Sequence, residues 1–75
     1  MTLRDLRNAF VNTPIILTNG YGGKVTMTNT LYGINSLVTM EVTRCHIFED
    51  MLYVHVDMPT EVIDAYNTYS KEAAV

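Results

Sequence analysis

The chain has 75 residues, 48% of them hydrophobic and 17% charged, with a net charge of −3. It is too apolar for a disordered tail and, with five Lys and Arg against eight Asp and Glu, too acidic to track nucleic-acid phosphates. No apolar run approaches the ~20 residues that span a bilayer, and no apolar stretch behind the N-terminal charges predicts a secretory leader.

Residues 1–75 are expected to form one small α+β domain. Its single cysteine, Cys45, cannot form an internal disulfide and leaves nothing to suggest an oxidising compartment. Below ~70–80 residues a lone hydrophobic core seldom supplies more than ~3–5 kcal/mol, and the usual remedies are disulfides, a metal or assembly. With disulfides excluded, assembly is expected, as a homodimer or a higher oligomer.

In chain order, the first ten residues predict a helix. Thr2 is its cap, Asp5 completes a shortened capping box, and Leu3, Leu6 and Phe10 form its apolar stripe. Asn12-Thr13-Pro14 ends it, because the residue before a proline leaves the helical region. From Pro14 to Met58 the period changes to two. A first hairpin is expected over roughly 14–19 and 23–28, turning through Asn19-Gly20-Tyr21-Gly22-Gly23, with Val25 and Met27 on one side. Asn29 to Asn35 is an irregular connection.

Ser36 to Ile47 then predicts one long strand, which returns as Leu52 to Asp57. With Glu49-Asp50 as the loop, Cys45 faces Val54, Arg44 faces His55 and His46 faces Tyr53. Cys45, Ile47, Leu52, Val54 and Val56 then share an apolar face; Arg44, His46, Tyr53, His55 and Asp57 share a polar one. The apolar residues Val38, Met40 and Val42 are even-numbered, whereas Cys45 and Ile47 are odd-numbered. This change of phase predicts either a bulge near Thr43-Arg44 or burial of both faces. From Pro59 a second helix follows, with Val62, Tyr66, Tyr69 and Ala73 as its stripe. The expected fold is therefore α+β, with an N-terminal helix, an antiparallel sheet of about four strands in two hairpins, and a C-terminal helix.

Residues for catalysis are lacking in this pattern. Cys45 is expected to be a buried, inert thiol among Val54, Ile47 and Thr43, with no base beside it. His46, His55 and Asp57 are too spread for a metal site, and no cofactor is expected. Two groups of residues suit binding instead. Arg44, His46, Tyr53 and His55 combine a guanidinium, two imidazoles and a phenol, which suit a phosphate, a nucleobase or a carboxylate; cross-strand pairing alone would also use them. The loop Gly20, Tyr21, Gly22, Gly23 and Lys24 can act as an ordinary turn or as a backbone nest for an anion.

The opener Met1-Thr2-Leu3-Arg4-Asp5-Leu6, followed by Pro14-Ile15-Ile16-Leu17 and a glycine turn, resembles that of many small phage and mobile-element proteins. In size and make-up the chain is also similar to phage-encoded anti-defence proteins, among them the oligomeric sponges of the Thoeris and CBASS nucleotide signals and the small anti-CRISPR inhibitors. The resemblance implies a non-enzymatic protein of the host bacterial cytoplasm that sequesters a small anionic ligand. By analogy with a sponge's interface, it would place Arg44 and Tyr53 between subunits. Two alternatives stand beside it. One is an inhibitor of a host defence protein that presents Glu41, Glu49, Asp50, Asp57, Glu61 and Asp64 as a phosphate mimic; the other is a structural subunit.

Overall fold

The computed structural model describes residues 1–73. Thr2 caps helix α1 (Leu3–Ala9): its hydroxyl accepts from the Asp5 N–H, and its own N–H donates to the Asp5 carboxylate at 2.9 Å. Those two bonds, the backbone one first, hold the Asp5 carboxyl below its ordinary range. Leu3 and Leu6 are buried and Phe10 packs beside them, as the spacing predicts.

The strands are β1 (Ile15–Thr18), β2 (Lys24–Thr26), β3 (Val42–Phe48) and β4 (Met51–Val56), in the order β2-β1-β4-β3. β2 pairs antiparallel with β1, and β3 antiparallel with β4, but β1 and β4 run parallel at the centre. The sheet is thus mixed rather than wholly antiparallel. The reason is the connection between β2 and β3. It carries two short helices, α2 (Asn29–Tyr32) and α3 (Asn35–Val38), and crosses from one edge of the sheet to the other. A crossover of a dozen or more residues is what parallel pairing needs.

Two expected elements change accordingly. Asn29 to Tyr32 is helical, capped by the Thr28 hydroxyl, and the long strand expected from Ser36 begins only at Val42. The β-branched residues Ile34, Val38 and Thr39 imitate a strand. Leu31, Ile34 and Leu37, spaced by three, instead turn one helical face to the core, where Leu31 and Leu37 are fully buried. The change of phase is a bulge: Val42 pairs with Val56 and Arg44 with His55, leaving Thr43 without an opposite residue.

Helix α4 (Thr60–Ala73) packs against β2 and α2, while α1 packs against α3. Its inward anchor is Ile63, fully buried, with Tyr66 half-buried beside it. Val62 and Tyr69, expected in the stripe, are instead 38% and 44% exposed. The side chain of Ala73, the stripe's last member, lies outside the described residues. The helices cover a single face of the sheet, over Ile15, Leu17, Val25, Leu52, Val54 and Val56. No helix among the described residues is long and apolar enough to cross a membrane.

Coverage stops short of β3. Cys45 does lie opposite Val54, but it is exposed, and Ile47 is 61% exposed. The expectation of a buried thiol fails because strand alternation sets which face a side chain takes, while burial depends on how far the helix layer extends.

The β3–β4 turn is strained. Glu49 and Asp50 have φ of 52° and 64°, the left-handed pair of a two-residue type I′ loop, which favours Asn-Gly. The double change Glu49→Asn/Asp50→Gly is expected to stabilise the fold by about 1 kcal/mol and raise Tm by ~4–8 °C. An unchanged Tm in a thermal melt would count against this account of the turn.

Candidate functional site

The sheet face away from the helices is open along β3, though Thr18 of β1 on it is buried, and its side chains follow from the register. One row across it is Thr26, Ile16, Tyr53 and His46; the next is Lys24, Thr18, His55 and Arg44. The pairings Arg44 with His55, His46 with Tyr53 and Cys45 with Val54 are those the sequence predicts.

On this face His46 lies flat against Tyr53, with ring centroids 5.2 Å apart and planes 5° from parallel. The Tyr53 ring meets Phe48 edge-on at 6.4 Å. His55 Nε2 is 3.4 Å from His46 Nδ1, close enough for one imidazole to donate to the other. Partial burial, then the charge of Arg44, then His46, lower the His55 pKa, which favours the neutral imidazole. Among the described residues the one ion pair joins the N-terminal ammonium to Glu41, 3.1 Å apart. Among the described residues no carboxylate pairs with the Arg44 guanidinium, which stands on an exposed strand. The result is a flat aromatic surface bordered by one cation and a neutral imidazole able to take up a proton.

Phe48, Met51 and Ile16 complete the surface and were not among the expected site residues. The signal for Phe48 is its parity with Arg44 and His46 along β3; its place beside the turn obscured it. Among the described residues no three His, Cys, Asp or Glu side chains gather as a metal would require.

The glycine loop lies elsewhere. Lys24 shares the row of Arg44 but stands on the opposite edge, three strand spacings or about 14 Å away. Tyr21 is 83% exposed. Three of the loop's N–H groups are engaged: Tyr21 and Gly23 donate to Asn19 Oδ1 at 2.9 and 3.2 Å, and Gly20 to Thr18 Oγ1 at 3.3 Å. The N–H groups of Gly20, Tyr21 and Gly23 thus point to side chains of the chain itself rather than outward to an anion. Asn19 Nδ2 donates to the Met58 carbonyl at 2.9 Å and to Thr60 Oγ1 at 3.0 Å, tying the loop to the start of α4.

On the helix side a cleft of about 240 Å³ lies between the ends of α1 and α2, lined by Arg7, Asn12, Pro14, Asn29 and Tyr32 among others. Its one cation is engaged: Arg7 donates to the Val11 carbonyl and stands over the Tyr32 ring, 4.6 Å from its centroid. Burial raises the pKa of the Tyr32 phenol, which stays protonated. The exposed cation without an ion-pair partner among the described residues that lies beside aromatic rings is therefore Arg44, on the open sheet face.

No family model matches this chain, no curated protein is similar to it in sequence, and no solved structure matches its fold.

Proposed function

We propose that this chain is a non-enzymatic, oligomeric binding protein of the phage anti-defence kind, which sequesters a small anionic ligand carrying an aromatic ring, such as an immune signalling nucleotide. The observation behind the reading is the parallel stack of His46 on Tyr53 beside the guanidinium of Arg44, which makes no ion pair among the described residues. Exposed aromatic planes bind bases by stacking, worth about 1–3 kcal/mol for each base. A guanidinium adds charge-assisted hydrogen bonds to phosphate. Phe48 and His55 extend the two functions along the same strands. Oligomerisation belongs to the reading because small-molecule sites are concave, and one flat sheet face offers a ligand a single wall.

Native mass spectrometry on protein purified gently from cells running a nucleotide-signalling defence system tests it first. A stoichiometric added mass of a few hundred daltons is expected, and the mass identifies the ligand class. Titration of that ligand into Arg44→Ala should then show binding weaker by about 1.5–3 kcal/mol, roughly ten- to a hundredfold. Unchanged affinity in a folded variant removes Arg44 from the site.

The pH dependence has a definite sign. Free His55 is neutral because its pKa is lowered, and a bound anion beside it favours the imidazolium. Binding then takes up a proton, so affinity rises as pH falls through the usual imidazole range near ~6.5, until the free protein protonates as well. In His55→Gln that rise should become smaller.

A further inference from the structure

The two edges of the sheet are built differently. β2 is three residues long and begins with Lys24, and Asn67 of α4 donates to the Lys24 carbonyl at 2.7 Å. Short length, a lysine and a covering helix are the devices that keep an edge strand from pairing with another chain. At the other edge β3 runs for seven residues with no lysine and no proline, and the N-terminal residues engage only its start, where Val42 donates to the Met1 carbonyl at 2.9 Å. Every β3 residue after Val42 is exposed. Its bulge lies at Thr43, away from the turn, and the segment from Arg44 to Phe48 is regular.

The backbone of that segment has unused capacity. Phe48 and Met51 close a two-residue turn, so Phe48, His46 and Arg44 are the positions that exchange hydrogen bonds with β4. The alternation of an antiparallel ladder directs the N–H and C=O groups of Cys45 and Ile47 outward, away from β4. Beside them Ile47 and Phe48 expose 61% and 57% of their surfaces.

We infer that β3 is the surface through which two copies of this chain pair, antiparallel and about a twofold axis, joining their sheets edge to edge. The register that engages all the outward groups of Cys45 and Ile47 sets Cys45 opposite the partner's Ile47 and places His46 on the axis. On the helix side this matches a thiol with an aliphatic chain, both now in solvent. On the open side it sets Arg44 opposite the partner's Phe48, a guanidinium against an aromatic ring. β3 carries no carboxylate and Arg44 is its only fixed charge, so within the strand the twofold operation sets no like charges opposite each other. A second copy is therefore complementary to the strand along this register.

The inference rests on the proposal that the protein acts as an oligomer, and it names the interface. Pairing also widens the candidate site, since Arg44, His46 and Phe48 of the two copies lie on adjoining strands about 4.8 Å apart.

The test is native mass spectrometry and sedimentation over a dilution series, on the unmodified chain and on Ile47→Lys, with circular dichroism to verify folding. The unmodified chain should appear at twice 8.5 kDa, and Ile47→Lys as a folded monomer. In a Cys45→Ser background, His46→Cys should form a disulfide-linked dimer under mild oxidation, because facing non-hydrogen-bonded residues bring their Cα atoms to ~4.5 Å. A dimer that survives Ile47→Lys, or dimeric His46→Cys copies that stay unlinked, overturns pairing through β3 while leaving assembly by another surface. A monomeric unmodified chain overturns both the pairing and the oligomeric reading. Ligand capture is judged separately, by the Arg44→Ala titration.

Discussion

Asn19→Ala is expected to lower the unfolding free energy by about 3 kcal/mol, measured by urea denaturation. The side chain is 8% exposed and makes four hydrogen bonds, two as donor and two as acceptor. Alanine leaves the Met58 carbonyl and the Gly23 N–H buried without partners, and each such group costs about 1–3 kcal/mol. Water can reach Tyr21, whose N–H is less costly to orphan. The loss is large beside the ~4–11 kcal/mol available to a domain of this size. The same change also frees the Gly20 to Gly23 loop from the start of α4, so amide exchange should speed up in both segments together. A loss below ~0.5 kcal/mol, the range of ordinary surface changes, would mean that the loop is held by other contacts.

Ile63→Ala is expected to cost about 3 kcal/mol, while Val62→Ala and Tyr69→Ala each stay within ~1 kcal/mol. Ile63 is fully buried and is the anchor by which α4 joins the core cluster of Leu17, Val25 and Leu31. Removing its three side-chain carbons loses transfer free energy and leaves a cavity that the sheet beneath cannot fill by collapsing. Val62 and Tyr69 stand 38% and 44% exposed, so shortening them opens no cavity. The three variants compared in one thermal-melt series distinguish the observed packing face of α4 from the one its sequence pattern suggests. Equal losses for Ile63 and Val62 would overturn the observed orientation.

That reversal on α4 shows what kind of information a short helix lacks. Val62, Tyr66 and Tyr69 are spaced as a stripe, and so are Ile63, Tyr66 and Ser70. The choice between them is made by the sheet and by the Asn67 bond to Lys24, which set the helix rotation. The same holds for Leu31 to Val42. Its β-branched residues suit a strand, and only the need to cross from β2 to the far edge makes it two helical turns.

Short-range chemistry was legible without coordinates. The capping box of Thr2 and Asp5 is a reciprocal bond over three residues. The β3–β4 register follows from a two-residue loop and a period of two. The bulge at Thr43 shows in the parity of Val42 against Cys45 and Ile47. The shared face of Arg44, His46, Tyr53 and His55 rests on these same local rules, which is why the candidate site was legible before its surroundings. Long-range relations were not. The parallel pairing of β1 with β4, the exposure of Cys45 and the capture of the glycine loop by Asn19 all depend on elements brought from elsewhere in the chain. Alternation says which side of a sheet a residue takes; what covers that side, and where the cover ends, is a property of the packed whole.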